Sequence, residues 1–137
     1  MLISVRLYVQ GESLRPVEIT KLLGVEPARA HARGDTRKLA NGEVVAEKIG
    51  VWVWKTGADG EGEKISDCIS SLLKAFDRSI KLVTCLPNAE ATWIDIHLVQ
   101  DREPEGKTDD VEFALTSQDI RALNDFGLPV EVTIGFA

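Results

Sequence analysis

From Lys64 onward, Ile65, Ile69, Leu72, Leu73, Phe76 and Ile80 recur at the three- and four-residue intervals that align side chains on one stripe of an α-helix. Burying such side chains is worth roughly 1.5 to 3 kcal/mol each, and the stripe on the order of 10 kcal/mol as an upper estimate, comparable with the whole stability of a domain. The stripe therefore reads as core rather than as a membrane-binding face. The chain must supply a second apolar layer to cover it.

That layer is written as strands. Ile3, Val5, Leu7 and Val9 alternate with Ser4, Arg6, Tyr8 and Gln10, the period of a strand with one buried face. From Thr36 to Lys55 the chain reads as a meander around Asn41-Gly42, a strong hairpin signal, with Val44-Val45 and Val51-Trp52-Val53-Trp54 as its strands. Ile94, Ile96 and Leu98 alternate with Trp93, Asp95 and His97. Val111, Phe113 and Leu115 alternate with Glu112 and Ala114, and Val130, Val132, Ile134 and Phe136 make a last strand.

Two shorter helices complete the pattern. Pro16 suits a first helical turn ahead of Ile19, Leu22 and Leu23, Gly24 suits its end, and Pro27 prevents regrowth. Thr116 and Asp119 have capping-box spacing before Ile120 and Leu123, and Gly127 closes that segment. The stretches 57–63 and 101–110 read as polar loops. Strand, helix, meander, helix, two strands, helix, strand is not a repeating βα alternation. The expected class is α+β: a mostly antiparallel sheet with helices packed on one face, in a single domain over 1–137.

Charge and cysteine usage narrow the partners. Sixteen Lys and Arg stand against 22 Asp and Glu, a formal charge of -6 that repels a phosphate backbone, so no nucleic acid is expected. No apolar run approaches the roughly 20 residues that span a bilayer, and Met1 to Gln10 alternates instead of forming the unbroken core of a signal peptide, so no membrane is expected either. Cys68 and Cys85 lack CxxC spacing and read as reduced thiols of a cytoplasmic protein.

Gly11-Glu12 after the first strand, Pro16 with Ile19, Leu22, Leu23 and Gly24, Pro27, Arg33-Gly34-Asp35 and Trp52 form a moderately specific set. With Phe113, Leu115, Ser117, Ile120, Leu123, Gly127, Leu128, Val130 and the terminal Phe136, the chain resembles, nearly end to end, the bacterial domain of unknown function family numbered 4279. The resemblance implies an α+β fold in a bacterial cytoplasm and carries no activity or catalytic residue to any position. The chain departs from the family at Arg15, where an Asp usually caps the first helix.

The aromatic residues point to a surface. If Val51 and Val53 face the helices, Trp52 and Trp54 lie on the opposite sheet face, and alternation adds Trp93, Arg6, Tyr8, Asp95 and His97. Such a surface suits a binding site or an interface core, unless the 36–48 meander or a second subunit covers it. Asp95 and His97, two apart on a strand, stand ~6 to 7 Å from each other and need a bridging group to act together.

Other constellations read plainly. Cys68 beside His97 suggests a nucleophile pair, but Cys68 falls next to the apolar stripe and reads as a small buried hydrophobe. His31, Cys68, Cys85 and His97 lack the close pairing of a structural zinc site, so no metal and no cofactor are expected. In the 57–63 loop Asp59, Glu61 and Glu63 repel an anion and offer at most adventitious calcium binding. Arg29, His31, Arg33, Arg37 and Lys38 are the one basic cluster, suited to a carboxylate or phosphate or simply to solvent.

The sequence names no catalytic residue. It reads as a non-enzymatic interaction module, binding a protein partner or forming a homodimer through Trp52, Trp54, Trp93, Asp95, His97, Arg6 and Tyr8, with Arg33 at the edge. An immunity-type protein is one form of it. The alternative is a small-molecule binder or enzyme with a pocket lined by Trp52, Trp93, Asp95 and His97.

Overall fold

The computed structural model describes residues 1–56, 64–100 and 112–136. The elements run β1 (Leu2–Gly11), α1 (Pro16–Leu23), β2 (Arg29–His31), β3 (Thr36–Lys38), β4 (Val44–Ala46), β5 (Gly50–Lys55), α2 (Ile65–Phe76), a 3₁₀ turn (Ile80–Leu82), β6 (Ala91–Gln100), α3 (Ser117–Asp125) and β7 (Val130–Phe136). The fold is α+β. Five strands form one sheet in the order β2-β5-β1-β6-β7, and β3 and β4 form a separate hairpin. All pairs are antiparallel except β6 with β7, which run parallel and are joined through α3.

All three helices share one core on one side of the sheet. Val5, Leu7 and Val9 of β1 and Ile94, Ile96 and Leu98 of β6 are buried with Ile19 and Leu23 of α1, Ile69, Leu72 and Phe76 of α2 and Leu123 of α3. The α2 stripe is met as expected, except that the helix ends at Phe76 and Ile80 reaches the core from the 3₁₀ turn. In the short helices Leu22 and Ile120 are exposed while Ile19, Leu23 and Leu123 are buried, because eight- and nine-residue helices present only a narrow face to the sheet.

Local signals end where expected. Gly24 closes α1 at φ 68°, and its N–H donates to the Thr20 carbonyl at 2.8 Å. Arg15 supplies no side-chain cap and pairs instead with Glu18 at 3.2 Å. Thr116 and Asp119 form a reciprocal capping box, each accepting from the other's backbone N–H.

Two strand assignments change. Residues 112–115, expected with Val111 as a strand, lead irregularly into α3; Val111 itself lies outside the described residues, as do the loops 57–63 and 101–110 with Asp59, Glu61 and Glu63. The reason is topological: β6 is flanked by β1 on one side and by the terminal strand β7 on the other, so no place beside it remains. Conversely, Arg29–His31, read only as part of a basic run, is a strand that pairs with Val51–Val53. A three-residue polar strand carries no periodicity to detect.

At one end of β1, Gly11 pairs with Gly50. A Cβ at Gly11 would collide with the Asn88 carbonyl oxygen, and one at Gly50 would stand 2.8 Å from the Leu14 Cβ. Backbones meet here at a distance only glycine permits. At the outer edge, Val130, Val132, Ile134 and Phe136 of β7 lie on the helix side by register, yet remain exposed.

Candidate functional site

The β-ladders place each residue of the face opposite the helices. Cross-strand partners project to the same side of a sheet, so Tyr8 shares its side with Val53 and Trp93, Arg6 with Lys55 and Asp95, and Ser4 with His97. The parallel pair extends the rows: Asp95 stands beside Glu131, and His97 beside Thr133. One row therefore reads Arg29, Val53, Tyr8, Trp93, and the next Lys55, Arg6, Asp95, Glu131.

Trp52 and Trp54 are not on this face. They pair with Val9 and Leu7, whose side chains enter the helix-side core. Trp52 is wholly buried, its indole N–H donates to Thr20 Oγ1 at 3.0 Å, and its ring meets Phe76 edge-on at 6.4 Å. Trp54 packs edge-on against Phe76 at 5.4 Å. The expectation that Val51 and Val53 face the helices is thus reversed. Val-Trp-Val-Trp is apolar at every position, so alternation cannot choose its face, and the larger rings fill the space between sheet and helices.

Trp93 does lie on the open face, stacked on Tyr8 with ring centroids 4.9 Å apart and planes 7° apart. Both are half-buried. Arg6 donates from Nη1 to the Tyr8 hydroxyl at 3.2 Å, while its Nε is buried with no hydrogen-bond partner among the described residues. The arginine leans along the aromatic row. It makes no described bond to Asp95, its cross-strand neighbour.

Asp95 is satisfied from β7. It is 4% exposed and accepts from Thr133 Oγ1 at 3.1 Å to both carboxylate oxygens. The same Oγ1 lies 2.7 Å from His97 Nδ1. A hydroxyl has one proton, so if Thr133 donates to Asp95 it accepts from His97, which sets the Nδ1–H tautomer and leaves the lone pair on Nε2. A Cβ at Gly135 would stand in ordinary contact with the ring, 3.7 Å from Cε1 and 3.9 Å from Nε2. Thr133 is thus the bridge that Asp95 and His97 need, on a terminal strand whose place beside β6 sequence alternation does not reveal.

Partial burial holds the His97 pKa below its usual 6.5, and Arg6 and Lys55 depress it further against the opposing pull of Asp95. His97 is therefore neutral at pH 7 and can accept a hydrogen bond through Nε2.

The basic cluster is divided. Arg29 and His31 lie on the open face by register, His31 Nε2 meets Glu47 at 3.4 Å, and Arg37 meets the same carboxylate at 2.9 Å. The β3–β4 hairpin is thereby tied to one edge of the face, around a hollow of about 330 Å³ lined by Arg29, His31, Asp35, Thr36, Arg37 and Glu47. Arg33 stands apart, exposed and 3.4 Å from Glu12. Cys68 is buried in the core, with its Sγ 3.8 Å from the Ile3 carbonyl oxygen. Among the described residues no three His, Cys, Asp or Glu converge as a metal site, and no helix is long and apolar enough to cross a membrane.

Over residues 1–136 the chain matches the model of the family described as Domain of unknown function (DUF4279), and it belongs to that family. No curated protein and no solved structure matches it.

Proposed function

We propose that this family member is a cytoplasmic, non-enzymatic interaction module that receives a protein partner on the open face of its sheet. The Tyr8–Trp93 stack carries the reading: two large flat rings, half-buried and braced by Arg6, lie on the side opposite the three helices. Trp, Tyr and Arg are the residue types that dominate binding energy at protein interfaces, and they act from the centre of a patch with polar groups around it. Here Lys55, Asp95, His97 and Glu131 supply that surround.

Gentle recovery of the tagged protein from its host tests the proposal, with Trp93→Ala on the open face and Val17→Ala on the exposed side of α1 as a pair. A stoichiometric protein partner, of whatever identity, that is lost with Trp93→Ala and kept with Val17→Ala is the expected result. A partner retained equally by both variants rejects it.

The hydrogen-bonded line Asp95–Thr133–His97 favours a second reading, a small-molecule binder or enzyme on the same face, with His97 Nε2 as the accepting atom. A monomer that carries a small molecule, released on denaturation and absent from His97→Ala, is the result that selects it.

A further inference from the structure

We infer that the partner on this face is a second copy of the chain, seated face to face about a two-fold axis parallel to the strands, which rests on the open face being the binding surface. Across four strands the second row reads Lys55, Arg6, Asp95, Glu131: two cations, then two carboxylates. The chain as a whole carries -6 and repels its own copies at a distance. This row sums to zero, so along it the open face can meet another copy of itself without the net repulsion of the whole chain.

The order of the charges selects the symmetry. A two-fold axis lying between two facing sheets and parallel to their strands reverses the strand order of the second copy but keeps its rows level. Lys55 then stands over the second copy's Glu131, and Arg6 over the second copy's Asp95. A two-fold axis running across the strands would instead set lysine over lysine and glutamate over glutamate. Facing sheets pack about 10 Å apart with strands nearly aligned, which either axis allows, so the order of the charges decides between them.

The aromatic row fits the same operation. Tyr8 comes to lie over the second copy's Trp93 and Trp93 over the second copy's Tyr8, so two stacked pairs meet near the axis. An isologous interface repeats every contact, and each outer ion pair is therefore formed twice. Lys55 and Glu131, at the ends of the row, are more accessible than the buried Asp95. They set register while the rings supply the apolar centre.

Sedimentation equilibrium on the full chain tests this, comparing the wild type with Lys55→Glu, Glu131→Lys and an equimolar mixture of the two. The wild type is expected to be a dimer, and each reversal to weaken it by about tenfold or more, because like charges then face each other across the axis. The mixture should regain the dimer, since the reversed lysine of one variant meets the reversed glutamate of the other. A monomeric wild type overturns the proposal, while a different partner lost with Trp93→Ala would leave the open-face reading intact. A dimer weakened by Trp93→Ala but indifferent to both charge reversals overturns the two-fold arrangement alone. A dimer unaffected by all three substitutions overturns the proposal and, for self-association, the face as well.

Discussion

Trp93 lies flat on Tyr8 across the β1–β6 ladder, with ring centroids 4.9 Å apart and planes 7° apart. Such a pair stabilises the fold by only about 0.5 to 1.5 kcal/mol beyond its area burial. A ring that is also a hot spot contributes about 2 kcal/mol or more to a complex. Trp93→Ala should therefore weaken partner binding or self-association by about 2 kcal/mol or more in a variant that still folds, as titration calorimetry and urea unfolding on the same variant would show. Unchanged association in the folded variant would make the ring a structural one.

The two other tryptophans should behave in the opposite way. Thr20 accepts from the buried Trp52 indole, so Thr20→Val leaves that N–H unpaired and should cost about 1 to 3 kcal/mol. Trp52→Ala opens a cavity beside Phe76 and should cost about 3 to 5 kcal/mol. Urea unfolding followed by circular dichroism reads both, and any surviving association should be unchanged for the folded fraction.

The cap of α3 predicts an acid dependence. The Thr116 backbone N–H holds the Asp119 pKa below its usual 3.8, and the Ser66 and Thr116 hydroxyls add to that against the opposing effect of burial. A depressed carboxylate contributes stability that is present above the unfolded pKa and lost as pH falls through the folded one. Asp119→Ala should thus be less stable than the wild type by about 1 to 2 kcal/mol near pH 7. The gap should narrow as the pH drops below 3.8. A gap independent of pH would show that the charge plays no part.

His97 titrates in the other direction. Its folded pKa is depressed below the unfolded 6.5, so the unfolded chain binds the proton more readily and stability falls as pH drops below that value. NMR titration of the ring should give a midpoint below 6.5, raised by Arg6→Met and lowered further by Asp95→Asn. Nitrogen shifts above the midpoint should report a protonated Nδ1, and Thr133→Val should abolish that preference. A midpoint above 6.5, or an unchanged tautomer in Thr133→Val, would contradict the geometry.

Much of the fold was legible because several segments alternate cleanly. Ile3 to Val9 and Ile94 to Leu98 each have a polar residue between apolar ones, so both their strands and their buried faces follow from the pattern. The α2 stripe and the Thr116–Asp119 cap are equally local. Of the site, alternation delivered Arg6, Tyr8, Trp93, Asp95 and His97 to one face. It failed at Val51 to Trp54, where every residue is apolar and either face satisfies the pattern.

By itself, then, the sequence determined the class of fold, the helix that anchors the core and the placing of Arg6, Tyr8, Asp95 and His97 on one face with Trp93. The tertiary structure alone decided that Trp52 and Trp54 turn inward, that β7 rather than 112–115 lies beside β6, and that Thr133 joins Asp95 to His97. The physical reason is range. Periodicity and caps are set by residues within a few positions of each other, whereas register and strand order are set by backbone contacts such as Gly11 against Gly50, made between residues distant in the chain.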